Sequence, residues 1–344
     1  MAGTSEPPAL LPARLRPARW HRAMPQTQTA YVAVAFAALI VVIWILAPVF
    51  MTPRNLLNIS KNFSFIALMS LGETLVIISG GIDLSVGSVC ALSAVVTMML
   101  MRLLSATAAA QVPGATIALA TLLALALAAL IGLVNGMLIA RIRLSPFVTT
   151  LGMLSVARGM THVLTQGRAQ YPTGPDVALF TRFANGTVLG LPTQLVYLLV
   201  LAILMALALR HLVWGRHLYA VGGNAQAAAL TGVRVPRVVV SVYALSGLAA
   251  GFSGVLIAGW LGAAPANLAT GYELRVIAAA VIGGANLAGG AGGAAGAVIG
   301  AALIEVIRNG FVLIGANSYW EEVFVGVIII IAVLVDQLRT RRVF

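Results

Sequence analysis

Glycines, an acid and a serine lie directly between two apolar runs in Gly80-Gly81-Ile82-Asp83-Leu84-Ser85-Val86-Gly87-Ser88. Asp83 and Ser85 carry groups that hydrogen-bond a polar solute. On a plainer alternative they cap the helix starting near Val86 by accepting from its unpaired N–H groups. In lipid a backbone break is tolerated only where it faces protein or a wet cavity. Gly80, Gly81, Asp83 and Ser85 are therefore candidates for a substrate pathway. Asn286 joins them, because Gly283-Gly284-Ala285-Asn286-Leu287 echoes the first stretch and also follows an apolar run. Glycine-interrupted spans in corresponding halves point to a central translocation site, and chance likeness in glycine-rich sequence is the competing explanation.

Ionisable groups within apolar runs are costly and usually face the bundle interior. Here they are Glu73, Arg158, and Glu305 with Arg308, next to which lies the polar Asn309. Glu305 and Arg308 stand three apart on one helix face, a spacing that lets them neutralise each other. No hydrolytic or redox site is legible. The one lysine, Lys61, lies outside any Gly-x4-Gly-Lys-Ser/Thr pattern, so the chain offers no nucleotide-hydrolysing loop of that kind. Cys90 is the single cysteine, and His21, His162, His211 and His217 show no ligand spacing with carboxylates. No metal and no cofactor of the chain's own is expected.

The elements that position these residues are membrane spans. A chain of 344 residues that is 60% hydrophobic and 9% charged, with a mean hydropathy of +1.01, departs far from water-soluble domains, which are about 25% charged. Its net charge of +12 resides mostly in arginines between apolar runs, where basic residues orient a membrane chain. Nucleic-acid binding is excluded on that ground. The fold class expected is all-α and polytopic, with about ten transmembrane helices. Apolar runs cover 30–49, 63–79, 86–101, 115–140, 146–164, 195–209, 238–260, 275–282, 294–313 and 323–335. The run 275–282 is short for the roughly 20 residues a spanning helix needs. A basic tail over 1–29, a permease domain over 30–338 and a tail over 339–344 complete the division. Alternating the runs collects Arg14, Arg16, Arg19, Arg22, Arg141, Arg143, Arg210, Arg216, Arg234, Arg237, Arg339, Arg341 and Arg342 on one side, which predicts that both termini are cytoplasmic.

The basic segment 210–237 holds a shorter pattern. Asn224 is placed to cap an alanine-rich helix over 225–230 and Gly232 to end it. Ala228, Leu230 and Val233 lie on this small-faced peg, which suits a groove on a partner; an ordinary interhelical loop is the alternative.

The runs 79–88, 215–233 and 282–304 together closely resemble the membrane subunit of bacterial sugar ABC importers of the ribose, xylose, arabinose and galactose group. The likeness covers nearly all of 30–338, and its first motif is the specific one. Branched-chain amino-acid permeases are relatives. The resemblance implies a permease in the bacterial inner membrane. It would work with a second permease copy or paralogue, a separate ATPase that binds the ATP, and an extracytoplasmic solute-binding protein. It also implies that the ATPase docks on Asn224, Ala228, Leu230, Gly232 and Val233.

Two other readings stay open at this stage. A stand-alone secondary transporter or channel would need ion-coupling carboxylates, for which Glu73 and Glu305 are the candidates. An ABC permease for a branched-chain amino acid or a nucleoside would share the architecture.

Overall fold

A computed structural model describes residues 26–315 together with 320, 323, 326, 327 and 330. The N-terminal tail up to residue 25, most of the expected run 323–335 and the tail 339–344 lie outside the described residues, as do both termini.

The described chain is helical. In order the helices are α1 Gln26–Leu46, α2 Pro53–Ile78, α3 Val86–Leu104, α4 Ala115–Ala140, α5 Pro146–Thr165, α6 Val177–Asn185, α7 Thr193–His211, α8 Val213–Gly223, α9 Ala225–Leu230, α10 Val235–Leu261, α11 Tyr272–Ile282 and α12 Ala294–Leu313. The departures from an all-α fold among the described residues are a minimal hairpin, β1 Thr187–Val188 against β2 Leu191–Pro192, and a single antiparallel bridge between Gln170 and Ala264. Proline at or next to the first position of α2, α5 and α10 marks their starts, where its missing N–H costs nothing.

Six helices, α2, α3, α4, α7, α10 and α12, are long and apolar enough to cross a bilayer among the described residues. The expected runs near 30–49, 146–164 and 275–282 are present as α1, α5 and α11 without belonging to that six. In α1 the stretch Phe36–Leu46 is an apolar helix shorter than those six. Helix α5 carries Arg158 and His162. Helix α11 has 11 residues, or about 17 Å at 1.5 Å each, roughly half of a hydrocarbon core.

Burial sorts the spans. Of α2's membrane-length window 83% is buried, against 22% for α4 and α7, so α2 is central while α4 and α7 turn most of their surface outward. Helix α10 packs against α4, α3 and α2. Between apolar helices in lipid the driving force is close packing, which favours small residues. A Cβ on Gly132 would strike the backbone of Tyr243, and one on Gly136 would come within 2.7 Å of the Val240 Cα. Gly247 lies against Ala128 in the same way, and Gly296 and Gly300 of α12 lie against Gly283 and Ala279 of α11. The glycine spacing at 132/136, 247/251 and 296/300 is thus used for helix approach.

Candidate pathway and docking site

Helix α2 ends at Ile78 by two backbone hydrogen bonds, Gly80 N–H to Ile77 O at 2.9 Å and Gly81 N–H to Val76 O at 3.0 Å. Gly80 takes φ +84°, the left-handed conformation in which glycine carries no Cβ penalty. Helix α11 ends identically, with Gly284 N–H to Val281 O at 2.9 Å, Ala285 N–H to Ala280 O at 3.0 Å and Gly284 at φ +100°. The echo in sequence is therefore a repeated helix ending. Its backbone register pairs Gly80 with Gly284, one residue later than the sequence likeness pairs them.

Asp83 and Asn286 then make the same local turn, each through Oδ1. Asp83 accepts from the Ser85 N–H at 3.0 Å, and Asn286 accepts from the Ala288 N–H at 2.7 Å. This side-chain mimic of a backbone turn is what Asp and Asn favour outside helices.

The first break is enclosed. Asp83 and Ser85 are each 1% exposed. Asp83 Oδ1 also accepts the Ser85 hydroxyl at 2.6 Å, and Oδ2 accepts that of Ser246 on α10 at 3.0 Å. The Asp83 N–H donates to Glu73 Oε1 of α2 at 3.0 Å. Asn135 of α4 donates to Ser85 Oγ at 3.1 Å. The Ile82 carbonyl accepts from Tyr243 of α10 and Thr150 of α5, both at 3.3 Å. Four helices thus place polar side chains on residues 82–85, which pairs groups whose burial alone would be costly. Neither Asp83 nor Ser85 caps α3 in the expected sense. Ser85 occupies the cap position without a side-chain bond to the first turn, because its hydroxyl is committed to Asp83. Gly81 is buried under Tyr243, and a Cβ there would strike the phenol oxygen. Gly80 is exposed.

The second break, 283–293, is held by backbone. Asn286 is half-buried, and its N–H donates to Ala291 O at 3.1 Å. The two breaks touch, since Gly290 N–H donates to the Ile78 carbonyl at 2.9 Å.

The peg at 224–233 forms as its residues predict. Asn224 Oδ1 accepts from the Ala227 N–H at 2.9 Å, and Gly232 closes α9 at φ +89° with its N–H on Ala229 O at 3.0 Å. Leu230 is 90% exposed. Ala228 turns inward, 4% exposed, into a cluster with Leu218, Val221, Val238 and Tyr243. It fastens the peg, while Gln226, Ala227 and Leu230 face out. Val233 is half-buried against the same cluster.

Glu305 and Arg308 form the ion pair their spacing predicts. Arg158 donates to the Leu268 carbonyl at 2.7 Å, tying α5 to the loop before α11. In the loop between α5 and α6, Asp176 accepts the Thr116 hydroxyl and the N–H groups of Gly114 and Thr116. These bonds, the Thr116 hydroxyl first, hold its carboxyl below the usual aspartate value of 3.8.

Glu73 was visible in the sequence as an intramembrane acid, without a link to Asp83. Asn135 was visible only as part of an Asn-Gly pair within α4. Nothing in the sequence marks Ser246, Tyr243 or Thr150, which reach the break through tertiary packing alone.

Interrupted helices converging at one end of an apolar bundle, with a capped peg beside them, define a multi-pass membrane protein of the transport class. Residues 55–333 match the family described as the permease component of the branched-chain amino acid transport system, and the chain belongs to that family. It is 39% identical over 308 residues, 88% of this chain and 92% of the relative, to the ribose import permease protein RbsC of Escherichia coli (strain K12). It is 35% identical over 302 residues to RbsC of Bacillus subtilis (strain 168), covering 88% and 90% of the two chains. To the galactose/methyl galactoside import permease protein MglC of Escherichia coli (strain K12) it is 36% identical over 316 residues, 90% and 94% of the two. No solved structure matches the chain. The resemblance read from 79–88, 215–233 and 282–304 is borne out by these relatives.

Proposed function

We propose that the chain is the membrane permease of an ATP-binding-cassette importer that carries a monosaccharide or similar polar solute into the cytoplasm. The observation that carries the reading is a capped peg, α9, presented outward at the end of the bundle where both helix breaks lie. On this reading the chain is no enzyme and holds no cofactor or metal. ATP is bound by a separate ATPase that docks on Asn224, Leu230 and Gly232, with Ala228 and Val233 anchoring the peg behind them.

Ten spans place both termini in the cytoplasm of a bacterial inner membrane, with α11 and its break serving as a half-crossing and the run 323–335 as the last span. A solute-binding protein delivers solute to the opposite face, and a second permease copy or paralogue completes the passage. Gly80 and Asn286 lie where the breaks open; Gly81, Asp83 and Ser85 act from behind by holding the first break in shape. Nucleotide closure draws the docked pegs together and tilts the helices, so that the gap opens to alternate sides.

Reconstitution with the cognate binding protein and ATPase is expected to give ATP-dependent uptake of a monosaccharide. Uptake that persists without the ATPase would overturn the reading. Docking is tested separately with Gly232→Arg, which is expected to weaken ATPase binding, whereas Gly232→Asn, better tolerated at positive φ, is expected to bind. Wild-type ATPase binding by Gly232→Arg would remove the docking site.

A further inference from the structure

We infer that Gly222 is the contact through which the α8–α9 elbow moves both helix breaks as one unit; the inference rests on the docking of the ATPase at α9. Gly222 lies two residues before the α9 cap and is set against the hydrogen bond that joins the breaks. A Cβ on it would strike the Ile78 carbonyl oxygen and come within 2.6 Å of the Gly290 nitrogen, the two ends of that 2.9 Å bond. The approach is reciprocal. A Cβ on Gly289 would meet the Gly222 carbonyl oxygen at 2.6 Å and the Gly80 Cα at 3.1 Å. One backbone segment from the elbow, one from the end of α2 and one from the second break therefore meet with no side chain between them.

Two features make this a joint that transmits force. Tyr219, three residues before Gly222 and so on the same helix face, donates its hydroxyl to Gly292 O at 2.8 Å, a second fastening to the same break. Leu218 and Val221 are buried with Leu75, Val76 and Ile78 of α2 and with Val242 and Tyr243 of α10, so α8 cannot slide independently of the helix that leads into the first break. Side-chain contacts absorb small displacements by changing rotamer, whereas backbone set on backbone has no rotamer to change. Small shifts at a packed joint of this kind pass on as discrete movements.

The test measures uptake and ATP hydrolysis in the same proteoliposomes holding the complete transporter. Gly222→Ala is expected to lower uptake about tenfold while hydrolysis continues, so that ATP spent per solute rises by a similar factor. Gly223→Ala, whose added Cβ meets nothing within 4 Å, is expected to keep that ratio within about twofold of wild type. Tyr219→Phe, which adds no volume, is expected to raise it about threefold. A wild-type ratio in Gly222→Ala overturns the inference. Should that variant not assemble, an unchanged ratio in Tyr219→Phe overturns it. Failure of docking reads differently, as wild-type ATPase binding in Gly232→Arg, and leaves the Gly222 ratio to be scored on its own.

Discussion

The breaks after α2 and α11 begin alike and are then held by opposite means. Each ends its helix with the same pair of backbone hydrogen bonds and a left-handed glycine, and each continues through an Asp or Asn turn. Beyond that point the first is gripped by side chains from α2, α4, α5 and α10, and its Asp83 and Ser85 are closed to solvent. The second is lined by glycines and relies on its own backbone, on one bond to Ile78 and on the Tyr219 hydroxyl at Gly292 O. A break specified by side chains has one shape, because the buried groups paired there would lose their partners in any other. A break specified by the absence of side chains is shaped by how closely its backbone fits against that of its neighbours. The first is accordingly the member shaped by polar side chains and the second the member shaped by close backbone approach.

Substitutions at the two breaks test that difference. The largest effect is expected from Gly283→Ala. Its Cβ would strike the Gly296 carbonyl across the α11–α12 seam, and backbone cannot yield, so a loss of about 3 kcal/mol or more in thermal unfolding is expected. Gly152→Ala on α5 meets nothing within 4 Å and should leave stability unchanged. Next comes Asp83→Ala, which strands the Ser85 N–H and the Ser246 hydroxyl in a buried site and is expected to cost about 3 kcal/mol. Asp83→Asn keeps an acceptor for Ser85 and offers Ser246 a donor, so it should recover most of that stability. If it recovers stability yet not uptake, the charge itself serves transport. Asn286→Ala, at a half-buried turn where water replaces the lost bond, is expected to cost about 1 kcal/mol; a cost equal to that of Asp83→Ala would abolish the distinction between the breaks.

The smallest effect is one of pH, away from both breaks. Asp176 has its carboxyl lowered by its bonds to Thr116 and Gly114, so its contribution is complete above the ordinary aspartate value of 3.8 and disappears as pH falls through the lower folded value. Asp176→Asn should therefore melt slightly below wild type at pH 7, with the difference closing in strong acid. A difference that persists unchanged at pH 2 would assign the effect to shape and not to charge.

Much of this was legible in the residues. The apolar runs gave most of the spanning helices to within a few residues, although α2 starts at Pro53, well before the run that begins at 63; Asn224 and Gly232 bounded α9 correctly, and Glu305 with Arg308 paired as three-residue spacing on a helix requires. These are local facts, set by a helix's own periodicity and by the few residues able to begin or end one. The echo of 80–84 in 283–287 was legible as well, though it aligned the turn residues and missed the helix endings by one position. The inward turn of Ala228 was not legible, because a peg of small residues looks the same from every side until something covers one face.

The sequence alone determined that the chain lives in lipid, where its helices run, and that two of them are interrupted by glycine, since hydropathy and the conformational preferences of Gly, Pro and Asn act over a few residues. Only tertiary structure decided that Asp83 is shared by Glu73, Ser85 and Ser246, and that Gly290 bonds Ile78 beside Gly222. Those partners are separated along the chain by up to 212 residues (290 − 78), and no local preference specifies which distant backbone a glycine will leave room for.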